Sequence, residues 1–352
     1  MVKLKIHKME LPKTVIIGKG LLSKLSEVYS PIGSGEIAII TGPHIFQVIK
    51  EKLYDGIPNL DDSRVIKVQS SSWGEIDKAI HLLNKHHRKI QLILGVGGGK
   101  SIDVAKMVAY KLNKPFISVP TSPSHDGISS QFVSIKDSRY AYSIPTKPPL
   151  AIIVDIEVVH TAPRRLIASG FGDAIAKITA VKDWQLARDR VGEYYGDYAA
   201  NLALLGAKIV MKHASGIGRG KVESIRVLVE ALISDGVAAG IAGSSRPCSG
   251  SEHLFSHALD MFSTEHALHG EQCGVGTIIM SYLHGLDHNR IKRALRKAGA
   301  PTTAEELGIS ENNLITALIK AKEVRPDRYT ILNEIEIDKK KAREILTSVG
   351  VI

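Results

Sequence analysis

Six histidines lie close together in the second half of the sequence, between positions 253 and 288. His253 and His257 are four residues apart, and His266 and His269 are three apart, so each pair would share one face of a helix. Leu254 follows His253, which excludes the HExxH motif of zinc proteases. Histidines at these spacings suit a metal site, although a structural role is the commoner use of a single histidine.

A carboxylate is needed to complete a catalytic zinc site, which commonly has three protein ligands and one open position. Asp173, in the run Gly-Phe-Gly-Asp at the start of a helical pattern, is the candidate for this ligand. The alternative is that Asp173 caps the helix and forms a salt bridge with Lys177, four residues later. The residues alone leave both interpretations open.

A glycine-rich segment, Gly-Val-Gly-Gly-Gly-Lys-Ser at positions 95–101, separates an apolar run from a helical pattern. Glycine lets the backbone approach a phosphate, and a helix N-terminus supplies free N–H groups. The segment is not a Walker A loop, which needs four residues between its glycines, and Lys100 replaces the last glycine of GxGxxG. A phosphate or pyrophosphate loop is favoured over a tight turn without a ligand.

A second polar loop spans positions 120–130 and follows another apolar run. Its eleven residues include a single aliphatic side chain, Ile128. An ordinary connecting loop is the alternative, but a long polar loop at the end of a strand is typical of a binding site.

Strands and helices must position these candidate site residues, and the first half of the sequence has the pattern of both. Short apolar runs predict strands at 14–17, 36–40, 64–68, 90–94, 115–119 and 150–154. Amphipathic stretches lie between several of them. Continuous apolar strands that alternate with helices indicate a mostly parallel, doubly wound α/β sheet.

From about position 160 the pattern becomes helical. We predict helices at 165–190, 195–213, 222–242, 252–266 and 277–284. The chain is therefore expected to have an α/β N-terminal domain over 1–160 and an all-helical C-terminal domain over 161–352. Ligands bind at the carboxyl ends of strands in open α/β sheets, so the cleft between the domains is the expected active site.

Composition narrows the classes of function. The chain has 352 residues, 44% hydrophobic and 23% charged, which is ordinary for a globular protein and excludes a disordered, collagenous or coiled-coil chain. A net charge of +10 favours an anionic partner, either nucleic acid or a phosphorylated small molecule. The positive charge is scattered, so we expect no specific nucleic-acid binding.

Two further observations bear on location. The sequence has no apolar run of membrane-spanning length, and its first residues have no apolar signal core, so we expect no membrane insertion. The two cysteines, Cys248 and Cys273, fit a reducing compartment. The expected location is the cytoplasm.

The run Gly-Gly-Gly-Lys-Ser-Ile-Asp-Val-Ala-Lys at 97–106 resembles the GGGSxxDxAK signature of the iron-containing alcohol dehydrogenase and glycerol dehydrogenase superfamily, which also includes dehydroquinate synthase. Within it, Pro-Thr-Ser-Pro-Ser-His-Asp-Gly at 120–127 is similar to the sn-glycerol-1-phosphate dehydrogenase family of archaea. Alcohol dehydrogenases have a Pro-Thr-x-Ala-Gly-Thr-Gly-Ser-Glu pattern there. The resemblance extends in matching order to His-Gly-Glu at 269–271.

This resemblance implies a set of site residues. The implied cofactor-binding residues are Gly97, Gly98, Gly99, Lys100, Ser101, Ile102, Asp103, Thr121, Ser122, Pro123, Ser124 and Ser130. The implied substrate-binding residues are Asp126, Asp173, Lys177 and His257. One Zn²⁺ per subunit would be held by Asp173, His253 and His269, which together with His257 form the implied catalytic set, and Glu271 would orient a ligand histidine.

One departure from the superfamily pattern bears on the metal. Iron-type relatives have a histidine four residues after the ligand aspartate, and this chain has Lys177 there. The change argues against a four-ligand iron site and for a three-ligand zinc site. It also places a cation where a phosphorylated substrate could use it.

The implied activity is the zinc-dependent reduction of dihydroxyacetone phosphate to sn-glycerol 1-phosphate, the backbone of archaeal membrane lipids. Residues 41–44 and 69–72, after the second and third predicted strands, contain no acid to exclude a 2′-phosphate, so NADH and NADPH are both expected, with NADPH preferred. Alternatives are a glycerol or polyol dehydrogenase, a dehydroquinate synthase-like lyase, or a nucleic-acid-binding protein. The superfamily implies a homo-oligomer.

Overall fold

The structure is a computed structural model, and it describes residues 7–33, 35–86, 89–136 and 141–352. Residues 1–6, which belong to the initial segment without an apolar signal core, lie outside these ranges. Six strands form the main sheet, and every neighbouring pair is parallel. Their order across the sheet is β1 (Thr14–Gly18), β8 (Ala151–Asp155), β5 (Phe116–Pro120), β4 (Ile90–Gly97), β2 (Glu36–Thr41) and β3 (Val65–Lys67). The described part of the chain contains no helix with the length and apolarity needed to cross a bilayer.

The strands and helices alternate through the first half of the chain and give way to helices alone. The strands are β1 (Thr14–Gly18), β2 (Glu36–Thr41), β3 (Val65–Lys67), β4 (Ile90–Gly97), β5 (Phe116–Pro120), β6 (Phe132–Lys136), β7 (Ala141–Pro145) and β8 (Ala151–Asp155). The helices are α1 (Leu25–Tyr29), α2 (Pro43–Gly56), α3 (Trp73–His86), α4 (Gly99–Lys111), α5 (Ile156–His160), α6 (Arg164–Val191), α7 (Asp197–Gly218), α8 (Val222–Ala242), α9 (Ser251–Phe262), α10 (His269–Leu283), α11 (His288–Ala298), α12 (Ala304–Leu307), α13 (Glu311–Val324) and α14 (Lys339–Ser348).

Alternating side chains of the strands build two apolar layers, one on each face of the sheet. Ile37 and Ile39 of β2 belong to a cluster with residues of α1 and α2. Ala38 and Ile40 point the opposite way and belong to a cluster with α3 and α4. This second cluster continues without interruption into α6, α8 and α10, so one apolar core joins this face of the sheet to the helical half.

The predicted fold class is confirmed: a parallel, doubly wound sheet is followed by a helical half. All six predicted strands are present, with ends that differ by at most three residues from the prediction. The antiparallel hairpin of β6 and β7 and the last four helices were not predicted as elements.

Two predicted helix ends near the histidines are wrong. Helix α9 ends at Phe262 rather than at 266, because the hydroxyl of Ser263 bonds with the backbone of Glu265 and competes with the helix. His266 therefore lies in the loop after α9 and is exposed. Helix α10 begins at His269, eight residues before the predicted start, and the Glu271 carboxylate accepts the N–H of Leu268 at its first turn.

Candidate active site

The glycine loop joins the carboxyl end of β4 to the N-terminus of α4. Gly97 has φ of +149°, a backbone conformation that a residue with a side chain rarely adopts. A Cβ at Gly99 would lie 1.8 Å from Nε2 of His125, so the loop's lack of side chains lets the second loop approach. The first amides of α4 face this junction and form the kind of anion site expected at a helix N-terminus.

The second loop, residues 120–130, runs beside the glycine loop. The N–H of Thr121 donates to the carbonyl of Gly97 at 3.0 Å, and a Cβ at Gly98 would lie 3.3 Å from Oγ of Ser122. The hydroxyls of Ser122 and Ser124 are buried and have no hydrogen-bond partner among the described residues. Two unsatisfied hydroxyls beside a helix N-terminus fit a ligand that supplies hydrogen bonds, as a dinucleotide would.

Other expected cofactor contacts have different surroundings. The carboxylate of Asp103 accepts the N–H of Ser134 at 3.1 Å, so it fastens the start of the β6–β7 hairpin to α4. The side chain of Ile102 is fully buried in the core, whereas Lys100 is exposed at the helix start. The Ser130 hydroxyl donates to the carbonyl of Phe132 at 3.3 Å. Pro123 packs its carbonyl against Gly170 of α6.

We predict that Gly97→Ala weakens cofactor binding and lowers stability. A Cβ there would lie 2.9 Å from Oγ of Ser101, and the positive φ adds strain of about 1–3 kcal/mol. The KM for the nicotinamide cofactor that the resemblance implies should rise about tenfold or more, as measured by initial rates. The free energy of unfolding, measured with urea, should fall.

Gly74→Ala is the matched control for Gly97→Ala. Gly74 lies in the first turn of α3, and a Cβ there would meet nothing within 4 Å. This variant should keep the cofactor KM and gain up to about 1 kcal/mol in stability. An unchanged cofactor KM in Gly97→Ala would show that the glycine loop does not bind the cofactor.

The expected metal ligands come together from three helices. Asp173 lies on α6, His253 on α9 and His269 at the first position of α10. Oδ1 of Asp173 is 3.4 Å from Nε2 of His253, and both side chains are buried. With Sγ of Cys273, one donor atom from each of these residues lies within 4.8 Å of the others. The geometry thus assembles a compact group of donors for a metal ion.

Close contact between the backbones of α6 and α10 brings these residues together. A Cβ at Gly172 would lie 2.1 Å from the carbonyl oxygen of Gly270, and a Cβ at Gly270 would lie 1.9 Å from that of Ser169. Only glycines permit this approach. Asp173 and His269 are the sequence neighbours of these two glycines, so the crossing of the helices sets their separation.

The carboxylate that orients a histidine of this donor group is Glu252, not Glu271 as expected. Oε1 of Glu252 lies 2.8 Å from Nδ1 of His253, and Thr179 donates to the other oxygen at 2.7 Å. Glu271 instead accepts two hydrogen bonds from Arg165, at 2.7 and 2.8 Å. The expectation failed because Arg165 and the backbone N–H of Leu268, at the start of α10, occupy the Glu271 carboxylate.

The hydroxyl of Ser256 supports the other histidine of this donor group. Its Oγ is 3.3 Å from Nδ1 of His269 and donates to Oε1 of Gln272 at 2.7 Å. Burial, followed by the nearby His253, holds the pKa of His269 well below its usual range. His269 is therefore a neutral imidazole at neutral pH, which is the form that binds metals.

Lys177 lies fully buried between two carboxylates. Its Nζ is 3.0 Å from Oδ1 of Asp173 and 3.0 Å from Oδ2 of Asp126. The backbone N–H of Asp126 also donates to Oδ2 of Asp173, at 2.8 Å, which joins the second loop to α6. Burial alone would lower the pKa of Lys177, but the charges of Asp126 and Asp173 raise it well above its usual range.

The salt bridge between Asp173 and Lys177 weighed from the sequence is thus present in the structure. It does not exclude metal binding, since Asp173 also faces His253. Burial alone would raise the pKa of Asp173, but Lys177 and then His253 hold it well below its usual range. The carboxylate is therefore ionised and available to a cation.

Two further histidines line the group. The ring of His257 lies 6.0 Å from that of His269, centroid to centroid, and 6.5 Å from that of His253. The ring of His125 lies 6.5 Å from that of His269, and its Nδ1 accepts the N–H of Gly127. His125, Glu252 and Cys273 were not among the predicted site residues. The i, i+4 spacing of His269 and Cys273 was a sequence signal that could have indicated Cys273.

Asp235 is a buried acid near this group whose carboxylate has no hydrogen-bond partner in the described part of the structure. Burial raises its pKa well above the usual range. The folded state keeps a proton that the unfolded chain releases near pH 4, so this residue's contribution to stability is complete below about pH 4 and is lost as pH rises.

We predict that Asp235→Asn raises the free energy of unfolding at neutral pH, because the amide has no proton to lose. The gain over the unmodified chain should increase from about pH 4.5 to pH 7. Urea unfolding at both pH values measures it. An equal gain in the free energy of unfolding at the two pH values would show that the Asp235 carboxylate is ionised in the folded protein.

The amino-acid sequence is similar to those of known dehydrogenases. Residues 16–163 match the family model for iron-containing alcohol dehydrogenases. The chain is 46% identical to a glycerol-1-phosphate dehydrogenase (NAD(P)+) of Hyperthermus butylicus, over 99% of each chain. It is 48% identical to the enzyme of the same name from Metallosphaera sedula, over 98% of each chain.

Solved structures show the same fold at lower identity. The glycerol dehydrogenase of Schizosaccharomyces pombe superimposes with a TM-score of 0.79 at 22% identity, covering 98% of this chain and 91% of that one. A probable glycerol dehydrogenase of Sinorhizobium meliloti gives 0.78 at 21% identity, with 98% of each chain covered. At these identities the likeness concerns the fold alone.

Proposed function

The chain belongs to the glycerol-1-phosphate dehydrogenase family, and from that membership we propose how its site reduces dihydroxyacetone phosphate to sn-glycerol 1-phosphate. It is an NAD(P)-dependent oxidoreductase that acts on a CH–OH group. The observation that carries the proposal is the meeting of Asp173, His253 and His269 beside the Lys177–Asp126 pair, next to the glycine loop.

We propose that Asp173, His253 and His269 hold one Zn²⁺. Their fit rests on an ionised aspartate, a neutral His269 and a donor spacing that suits a small ion. When bound, zinc would act as a Lewis acid that polarises the carbonyl group of the substrate. Glu252 orients His253, and Ser256 orients His269, so the donors are held before any ion arrives.

The glycine loop and the second loop are proposed to bind the cofactor, whose nicotinamide ring supplies the hydride. Gly97, Gly98 and Gly99 let the pyrophosphate approach the start of α4, and the hydroxyls of Ser122 and Ser124 supply hydrogen bonds. Asp103 is proposed to serve the same cofactor site, and one of its carboxylate oxygens also holds the hairpin that flanks the loop.

Lys177 and Asp126 are proposed to position the substrate. An ammonium group has three N–H donors, and two of them are directed to Asp126 and Asp173. We propose that the third serves a substrate oxygen at the junction of the second loop and α6. His257 lines the same space beside His269 and is proposed to move the proton that the reduced oxygen requires.

The test is a coupled assay in which the protein, loaded with zinc, receives dihydroxyacetone phosphate and NADPH, followed by chiral analysis of the product. Net oxidation of the cofactor with formation of sn-glycerol 1-phosphate is expected. Reduction of dihydroxyacetone without a need for the phosphate would favour a polyol dehydrogenase. Product formation without net cofactor oxidation would favour a lyase.

The choice of cofactor is predicted from the ends of β2 and β3. Thr41 ends β2, Gly42 leads into α2 and Lys67 ends β3, so neither strand ends in an acid that would repel a 2′-phosphate. We expect NADH and NADPH both to serve, with NADPH preferred. The ratio of kcat/KM values at fixed dihydroxyacetone phosphate measures the preference. A hundredfold preference for NADH, about 2.7 kcal/mol, would show that an acid elsewhere guards the ribose.

We further propose a domain boundary at about residue 160, a homo-oligomeric assembly and a cytoplasmic location. The boundary follows β8, the last strand of the main sheet. Assembly is supported by apolar side chains on the exposed face of α7, where Tyr198 is 88% and Leu205 55% exposed. Two free, buried cysteines are compatible with a reducing compartment.

A further inference from the structure

Cys273 lies one helical turn after His269, on the same face of α10. Its thiol is fully buried and lies 3.6 Å from Nε2 of His269. The surrounding donors are those of Asp173 and His253, so the thiol is aimed into the metal-binding group. The other cysteine, Cys248, differs, because its thiol donates to the backbone carbonyl of Asp235 at 3.0 Å.

Two distances among the four donors match those around a tetrahedral ion. Donors held at about 2.0–2.3 Å from a zinc ion are about 3.3–3.8 Å from one another. Oδ1 of Asp173 and Nε2 of His253 are 3.4 Å apart, and Sγ of Cys273 and Nε2 of His269 are 3.6 Å apart. The two pairs share no atom, so they would form opposite edges of a tetrahedron, and one donor atom from each of the four residues lies within 4.8 Å of the others.

We propose that Cys273 is a fourth metal ligand, which binds as a thiolate when no substrate is present. The proposal rests on the metal dependence in the proposed function and adds a sulfur donor to its two histidines and one aspartate. Thiolate is a soft ligand that favours zinc or cobalt over magnesium or calcium. The charges of Asp173 and a Cys273 thiolate would together balance a divalent ion within this buried space.

The test uses a spectroscopic property of sulfur ligation. The intact protein is stripped of metal with a chelator and reloaded with Co²⁺, and its near-ultraviolet absorption is recorded without substrate. A thiolate bound to Co²⁺ gives a charge-transfer band that nitrogen and oxygen ligands do not give. The unmodified protein should show this band, and Cys273→Ser and Cys273→Ala should lack it.

Cys248→Ser is the matched control. The chain has two cysteines, so a band that persists in Cys248→Ser must come from Cys273, even if the Cys273 variants fail to fold. Zinc affinity, measured by competition with a chromophoric chelator, should fall about tenfold or more in Cys273→Ser and remain unchanged in Cys248→Ser.

The outcomes separate this inference from the proposed function. If Co²⁺ binds in a 1:1 ratio without a charge-transfer band, Cys273 is not a ligand, while the site of Asp173, His253 and His269 stands. If a band is present and is lost in Cys248→Ser, the inference is also overturned. If the protein binds neither Co²⁺ nor Zn²⁺, both the inference and the zinc dependence of the proposed function fail.

Discussion

Replacement of His269 by alanine is expected to remove bound zinc and enzyme activity together, while the fold survives. His269 supplies an imidazole from the first position of α10, and its neutral form is favoured by burial. Loss of a residue that merely orients a ligand typically costs 10–100-fold in metal affinity or activity. Loss of the ligand itself should therefore lower kcat by more than about a hundredfold, with zinc measured by elemental analysis and the fold by circular dichroism.

His266→Ala is the matched control for this prediction. His266 is three residues away in the sequence, but it is exposed in the loop after α9. It should retain zinc and activity. Near-stoichiometric zinc in purified His269→Ala would show that His269 is not needed to hold the ion, and the assignment would have to be abandoned.

Lys177→Met is expected to have the second large effect, on stability and on substrate affinity. The change leaves Asp126 and Asp173 side by side without their shared cation. Removing one partner of a buried ion pair typically costs about 3–5 kcal/mol. The KM for dihydroxyacetone phosphate should rise about tenfold or more, and the KM for the cofactor should change much less.

The pH range of this contribution follows from the two pKa shifts. The raised pKa of Lys177 makes its contribution complete below about pH 10 and lost as pH rises further. The lowered pKa of Asp173 makes its contribution complete above about pH 4 and lost in more acidic solution. The stability difference between the unmodified protein and Lys177→Met, measured by urea unfolding, should therefore be largest between these limits.

The double variant Lys177→Met with Asp126→Asn provides the control. Without Lys177, the carboxylates of Asp126 and Asp173 repel each other. Replacing Asp126 by asparagine removes this repulsion, so part of the lost free energy of unfolding should return. If Lys177→Met changes neither KM value, Lys177 has no role toward the substrate and serves as the salt-bridge partner of Asp173.

The parts of the site that could be predicted from the sequence lie in segments whose secondary structure is recognisable from the local sequence pattern. The glycine run at 95–101 sits between a strand and a helix, and both are recognisable from their periodicity. Asp173 was recognisable with help from the family resemblance, but its pairing with Lys177 could not be told apart from metal binding. The structure shows that the same carboxylate faces both Lys177 and His253.

The parts that were missed depend on contacts between distant residues. Glu271 was expected beside a ligand histidine because it follows the His-Gly pair, but Arg165, which binds it, lies 106 positions away. The start of α10 was placed too late, because its glycines reduce the helical pattern. These glycines are needed for packing against α6, which sequence periodicity does not reveal.

The direct contact between α6 and α10 has a consequence for which ions the protein can select. Main-chain contacts fix the spacing of the two helices, and hydrogen bonds already hold the side chains of Asp173 and His269, so little rotamer freedom is lost when an ion binds. The same rigidity prevents the donors from spreading apart. Ca²⁺ prefers six to eight oxygen donors at 2.3–2.6 Å, so this frame discriminates against it by size and by donor number.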